Sequence, residues 1–133
     1  SPSNADEKFN GLVPAGEALI RSLNVPAVRL LYTYGVYSFY HFLKAAGLTT
    51  LFRSADDYGL PLIIGGAEVT LWDMAMLFRG LARGGRFGPL QVLASSTGAS
   101  VDTPPAISPG ACYLTLNILR ELTRDTGSVK LGL

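Results

Sequence analysis

The sequence predicts a mainly α-helical fold built as one unit. Apolar residues recur at helical spacing in several segments, glycines follow the points where those segments end, and no two strong strand patterns lie next to each other. A chain of 133 residues holds one core rather than two. We therefore expect a single partial domain over 1–133, with a flexible or tag-derived N-terminus at 1–8, a loop at 94–107 and a flexible C-terminus at 125–133.

The first two helices are predicted on either side of a short turn. An apolar-periodic segment begins at Pro14 and runs to the turn Ser22–Asn24. The second helix is expected from about Pro26 to Tyr34, with Gly35 as a left-handed stop.

A third helix is predicted from Val36 to Ala46, with Gly47 ending it. Aromatic residues crowd this region, and they suit either core and boundary packing or a stacking platform for bases or sugars. We favour packing, because the spacing is helical and basic residues are not interleaved. The group comprises Tyr32, Tyr34, Tyr37, Phe39 and Tyr40. His41 lacks a second His or Cys partner and is interpreted as a structural or surface residue.

Beyond the connector 48–60, the apolar run Leu60–Gly66 is predicted to be a short strand or an extended buried segment. Thr70 then precedes Asp73 by three residues, which predicts a capping box: the hydroxyl meets the Asp73 amide and the carboxylate reaches back. A strong helix is expected at about 71–83, ended by Gly84–Gly85.

The last predicted elements are a short extended piece at 87–93 and an amphipathic helix. Ser108 and Pro109 have the N-cap and first-turn pattern of that helix, which is expected to reach about Leu122. Cys112 lies among apolar neighbours on it and is interpreted as an inert core thiol.

Composition argues against several partners. The net charge is +1, charged residues make up 16% of the chain and no Lys/Arg run occurs, so nucleic acid is not expected. No apolar stretch is long enough for a membrane span and no leader opens the chain, so any membrane link would come from an N-terminal anchor outside it. No cofactor or metal is expected. Hydrophobic residues make up 48%, which predicts apolar surface that faces another part of a larger protein or a second copy in a homodimer.

The most informative feature is the triplet Ser22-Leu23-Asn24. It places a hydroxyl and a carboxamide on one turn between two helices, which suits catalysis. The alternative is helix punctuation, with Asn24 as an N-cap and Pro26 in the first turn.

The flanking residues resemble the penicillin-binding transpeptidase domains of class A peptidoglycan synthases. Glu17-Ala18-Leu19 followed by Arg21 to Val28 is similar to that family's Ser-x-Asn motif with its usual surroundings. Gly65 to Ala75 and then Leu81 to Gly85 are similar to the helix between the family's second and third motifs. The resemblance covers roughly 9–122. It implies the helical subdomain of the penicillin-binding transpeptidase (β-lactamase-like) fold, with few short strands and the central sheet largely missing.

The resemblance also implies a function and a place in the cell. In this family a serine of a Ser-x-x-Lys motif attacks a D-Ala-D-Ala stem peptide or a β-lactam, and a second stem peptide resolves the acyl-enzyme. Ser22 matches the hydroxyl that relays a proton between lysines and the leaving amine. Asn24 matches the carboxamide that orients the substrate or helps to hold the lysine. The parent would be a bifunctional glycosyltransferase/transpeptidase on the periplasmic side of the bacterial inner membrane.

The sequence departs from the family pattern at the other two motifs. No Ser-x-x-Lys occurs, and Lys130-Leu131-Gly132 lacks the hydroxyl of a Lys-Thr/Ser-Gly motif. We expect truncation at both ends and an inactive fragment. The alternative is a non-catalytic helical binding or interaction module of a cell-wall synthase.

Overall fold

The computed structural model describes residues 11–88 and 104–121, and these ranges are mainly helical. The helices are α1 (Ala15–Ile20), α2 (Asn24–Tyr34), α3 (Val36–Ala45), α4 (Ala55–Tyr58), a 3-10 helix (Leu60–Ile64), α5 (Leu71–Ala82) and α6 (Pro109–Arg120). These two ranges contain no strand, which is consistent with the expected helical fragment with few short strands. None of their helices is long and apolar enough to cross a bilayer.

The main helices follow the predicted punctuation. Gly35 separates α2 from α3, and Gly47 follows the end of α3 with a φ of 108°. The Ser108 hydroxyl accepts a hydrogen bond from the Ala111 amide at 3.2 Å, and Pro109 opens α6 as predicted. The expected C-terminal end of α6 at Leu122 lies outside the described residues, as do 1–8, 89–103 and 125–133.

Two predictions for the middle of the chain were wrong. The connector 48–60 contains a short helix, α4, whose N-cap Ser54 forms a capping box with Asp57. The run Leu60–Ile64 is a 3-10 helix and neither a strand nor an extended segment. Pro61 fits the first turn of a helix, and the Gly66 amide closes the turn on the Pro61 carbonyl at 2.9 Å. Local hydrogen bonds thus satisfy a backbone that has no neighbouring strand among the described residues.

The core lies where α2, α3, α4 and the 3-10 helix meet. Its buried members are Leu31, Tyr40, Leu48, Leu51, Ala55, Tyr58 and Leu62. The buried Tyr40 hydroxyl donates to the Arg53 carbonyl at 2.9 Å, which ties α3 to the chain before α4. Helix α6 packs outside this core, against α1 and α5. Cys112 on α6 is buried, as predicted.

Packing was the wrong prediction for three of the aromatic residues. Tyr40 is buried and Phe39 is half-buried against the core, but Tyr32, Tyr34 and Tyr37 are exposed. Helical spacing places Leu31 and Tyr40 on the core side of α2 and α3, and leaves these three on the outer side with other exposed residues such as Leu30. His41 is exposed beside Tyr37, in agreement with its surface interpretation.

Candidate active-site turn

The turn between α1 and α2 has the hydrogen bonds of a Schellman motif. The Ser22 amide donates to the Leu19 carbonyl at 3.0 Å, and the Leu23 amide donates to the Ala18 carbonyl at 2.9 Å. Leu23 and Ala18 are both buried, which matches the apolar contact that usually accompanies this motif. The main chain around Ser22 is therefore fixed by backbone hydrogen bonds and by an apolar anchor.

Ser22 occupies the position of this motif at which glycine is most common. Its φ is 52°, and it is the one residue other than glycine with a positive φ in 11–88 and 104–121. A left-handed conformation costs a residue with a Cβ about 1–2 kcal/mol. An exposed serine is thus held in a conformation that glycine would adopt without that cost.

Asn24 is the first residue of α2 and is half-buried. The N-cap is Leu23, whose side chain makes no capping hydrogen bond, so the interpretation of Asn24 as an N-cap is wrong. Pro26 lies in the first turn of α2, as that alternative required. Exposed Ser22 and half-buried Asn24 flank the buried Leu23. The turn thus exposes Ser22 and leaves Asn24 partly exposed, with one anchored residue between them.

A charged pair lies immediately before the turn. Arg21 Nη1 contacts Glu17 Oε1 at 2.9 Å, one helical turn apart on α1. Both side chains are well exposed, so the pair contributes little to stability. It does place a guanidinium and a carboxylate next to the candidate serine.

Helix α6 supports the turn from behind. Gly16 on α1 faces α6, and a Cβ there would be in ordinary van der Waals contact with Ile118 Cδ1 at 3.6 Å. Helix α6 is joined to the end of α5 through Gly85, whose carbonyl accepts from the Ala106 amide at 2.9 Å. Gly85 has a φ of 87°, and a Cβ there would overlap the Ile107 carbonyl. Because residue 85 is glycine, the chain after α5 can approach Ile107 closely, and α6, which follows Ile107, packs against α1.

The segment Gly65 to Ala75, which resembles the family's helix between its second and third motifs, contains two carboxylates, Glu68 and Asp73. Both form hydrogen bonds to the stretch of chain that precedes α4. Asp73 is 3% exposed, and its Oδ2 accepts from the Thr49 amide at 2.9 Å and the Thr49 hydroxyl at 2.8 Å. These hydrogen bonds lower the pKa of Asp73. The Thr70 hydroxyl does accept from the Asp73 amide at 3.0 Å, as predicted. The Asp73 carboxylate bonds mainly to Thr49 and also meets the Thr70 side chain, whereas the predicted box requires it to reach the Thr70 amide, so that half of the prediction was wrong.

Glu68, which is exposed, also bonds to the stretch of chain before α4. Its carboxylate contacts Arg53 Nη2 at 3.0 and 3.2 Å and accepts from the Tyr58 hydroxyl at 3.2 Å. The hydrogen bond from its own backbone amide lowers the pKa of Glu68 most, and the hydrogen bond from Arg53 lowers it further. The Arg53 guanidinium also lies 4.3 Å from the centre of the Tyr58 ring. Sequence reasoning missed this cluster, because its members are five to fifteen residues apart and no periodic pattern connects them.

Other candidate chemistry is sparse in the described part of the chain. Residues 11–88 and 104–121 contain no group of three His, Cys, Asp or Glu side chains that could hold a metal ion. The Ser22–Asn24 turn is the candidate site that the sequence resemblance indicates.

Comparison with known proteins gives consistent relatives. The chain is 36% identical over 124 residues to penicillin-binding protein 1C of Escherichia coli (strain K12), which covers 90% of this chain and 15% of that relative. It is 25% identical to the penicillin-binding protein 1A of Neisseria meningitidis serogroup A and to that of Neisseria gonorrhoeae, covering 93% of this chain and 17% of each relative. No protein-family profile matches the chain.

The chain thus spans about a sixth of the length of the curated relatives it matches. These matches confirm the resemblance drawn from the motifs, including penicillin-binding protein 1C as a relative. Over most of its length, this chain is related to a part of penicillin-binding proteins 1C and 1A.

Proposed function

We propose that this chain is part of a bacterial peptidoglycan D,D-transpeptidase and that Ser22 and Asn24 form its Ser-x-Asn motif. The observation that carries the proposal is the left-handed Ser22, since a strained residue at an exposed turn is a pointer to function. A purely structural turn would be more stable with glycine there. The similarity to penicillin-binding proteins supports the same reaction class.

In this reaction Ser22 is a relay rather than the nucleophile. The nucleophile, a serine of a Ser-x-x-Lys motif, would come from another part of the parent protein. Its hydroxyl adds to the D-Ala-D-Ala carbonyl, and the terminal D-Ala leaves as an amine that must gain a proton. The Ser22 hydroxyl is suited to pass that proton, because one oxygen both donates and accepts hydrogen bonds. The Asn24 carboxamide is suited to orient the peptide backbone of the substrate or to hold the catalytic lysine.

The exposed apolar surface supports a partial domain. Large apolar side chains are exposed along α5 and α6, namely Leu71, Trp72, Met74, Phe78, Tyr113 and Leu114. Monomeric soluble proteins rarely leave such patches uncovered. In the proposal the remainder of the transpeptidase domain covers these faces, and stem peptides and β-lactams bind only to the complete domain. In the isolated chain the same faces are available for pairing with a second copy.

The cellular setting is part of the same proposal. Peptidoglycan cross-linking takes place outside the inner membrane, so the parent would work on its periplasmic side and be held there by an anchor outside this chain.

A fluorescent penicillin tests the proposal directly. The isolated chain is expected to take up no covalent label, since it lacks a Ser-x-x-Lys serine. The protein encoded by the complete gene is expected to be labelled, and the label is expected to be displaced by excess unlabelled penicillin. In that protein Ser22→Ala should slow acylation by about a hundredfold, as for loss of a general acid–base group. Ser38→Ala, an exposed serine on α3, is the matched control.

The competing function is a non-catalytic helical binding module of a cell-wall synthase. A complete gene without an in-frame Ser-x-x-Lys and Lys-Thr/Ser-Gly, or a full-length protein that takes no label, would favour that module. Covalent, displaceable labelling of the isolated chain would overturn the assignment of Ser22 as a relay that depends on a nucleophile from elsewhere.

A further inference from the structure

Leu23, the middle residue of the Ser22–Asn24 turn, is buried without being part of the main core. It is 7% exposed, and Ala18 on α1 is 8% exposed. Neither residue belongs to the core cluster formed by α2, α3, α4 and the 3-10 helix. Because Leu23 is buried at the turn itself, shortening its side chain should disturb the turn and leave that cluster in place.

The position of Leu23 fixes the conformation of Ser22. The Leu23 amide donates to the Ala18 carbonyl at 2.9 Å, and the Ser22 amide donates to the Leu19 carbonyl at 3.0 Å. In a Schellman motif these two bonds form together when the residue at the position of Ser22 is left-handed, and its φ is indeed 52°. Burial of the Leu23 side chain stabilises this arrangement and offsets the conformational cost at Ser22.

We propose that Leu23 is a positioning residue of the transpeptidase, whose burial holds the Ser22 hydroxyl where the leaving amine receives its proton. The inference rests on the proposed function and adds the residue that controls its relay. Without the anchor, Ser22 would also populate right-handed conformations, which a residue with a Cβ prefers. A relay works only while its oxygen is within hydrogen-bond reach of both partners. The acylation rate therefore falls with the population of the left-handed conformer.

The test measures acylation of the protein encoded by the complete gene over a range of fluorescent penicillin concentrations. Leu23→Ala should lower the rate at saturation about tenfold, since the competent conformer is then populated for about a tenth of the time. The penicillin concentration at half-saturation should stay unchanged, because the relay acts in the chemical step and not in non-covalent binding. A split of this kind distinguishes misplacement of the hydroxyl from a general loss of folded protein.

Further variants supply the controls. Leu23→Met keeps the apolar volume and should retain the wild-type rate, whereas Leu23→Val removes one methylene and should slow acylation less than Leu23→Ala does. Leu48→Ala is the matched control: Leu48 is 5% exposed and loses the same atoms in the main core, so acylation per folded molecule should stay unchanged. Leu23→Ala should cause no further slowing when combined with Ser22→Ala, since no hydroxyl remains to be misplaced.

Ser22→Ala separates this proposal from the proposed function in the same assay. If Ser22→Ala slows acylation about a hundredfold and Leu23→Ala does not slow it, the relay stands and the positioning role is refuted. Equal slowing by Leu48→Ala would also refute that role, because any loss of buried volume would then suffice. So would a further tenfold loss in the double variant, since Leu23 would then act by a route other than Ser22. A Ser22→Ala protein as fast as the wild type would overturn both proposals.

Discussion

Replacing Ser22 with glycine should separate the stability of the turn from its function. The left-handed conformation of Ser22 costs about 1–2 kcal/mol, and glycine removes that cost. Glycine also gains about 0.5–1 kcal/mol of conformational freedom in the unfolded chain. The net expectation is that Ser22→Gly raises the free energy of unfolding by about 0.5–1 kcal/mol.

Urea denaturation followed by circular dichroism measures this change, and thermal melting should show a rise of about 2–5 °C. Ser22→Ala is the matched control, since alanine also removes the hydroxyl but keeps the Cβ that disfavours a positive φ. It should show no stabilisation. In the full-length protein both variants should slow acylation by penicillin to a similar extent, because both lack the proposed relay hydroxyl. A Ser22→Gly chain that is less stable than Ser22→Ala would refute the left-handed turn and the argument built on it.

Two further predictions concern packing and pH. A Cβ at Gly80 would overlap the ring of Phe87, so Gly80→Ala should destabilise the chain by about 1–2 kcal/mol in urea denaturation despite the better helix propensity of alanine. Gly88→Ala should not destabilise the chain, because a Cβ there would meet open space. In the background of Phe87→Ala, most of the difference in stability between glycine and alanine at position 80 should disappear. The pKa of Asp73 is lowered by its hydrogen bonds, so its stabilisation is present above its unfolded pKa and is lost as pH falls through the folded one. In Asp73→Asn the urea midpoint should therefore fall less steeply as the pH is lowered. Asp56→Asn, at an exposed position on α4, should show the same pH dependence as the wild type.

Punctuation residues explain why most helices were predictable. Gly35 and Gly47 act locally and mark helix ends whatever the rest of the chain does. Ser108 does the same for the start of α6 through one hydrogen bond three residues away. The 3-10 helix was missed because an apolar run of five residues suits a strand or a helical turn equally well. Its Pro61–Gly66 hydrogen bond decides between them, and periodicity does not reveal that bond.

The candidate site remains a prediction, and its conformation could not be predicted from the sequence. Ser22 and Asn24 were found from their flanking residues, and the helix boundary at Leu23 was misplaced by about two residues, a usual error for helix ends. The left-handed φ of Ser22 was not predictable, because glycine is the usual residue for it. The partner of Asp73 was equally hidden, since Thr49 is far away in sequence and is brought near only by the packing of the folded chain.

The contact between α1 and α6 determines when α1 can pack against the rest of the chain during folding. Gly16 and Ile118 are about a hundred residues apart, and closing a loop of that length costs about 4 kcal/mol of chain entropy. The core around α2, α3 and the 3-10 helix closes over much shorter separations and should form first. During synthesis on a ribosome, α6 can therefore dock against α1 only after nearly the whole chain has emerged. A protease cut between α5 and α6 would leave that core and the local hydrogen bonds around Ser22 intact, and would loosen only the packing of α6 against α1.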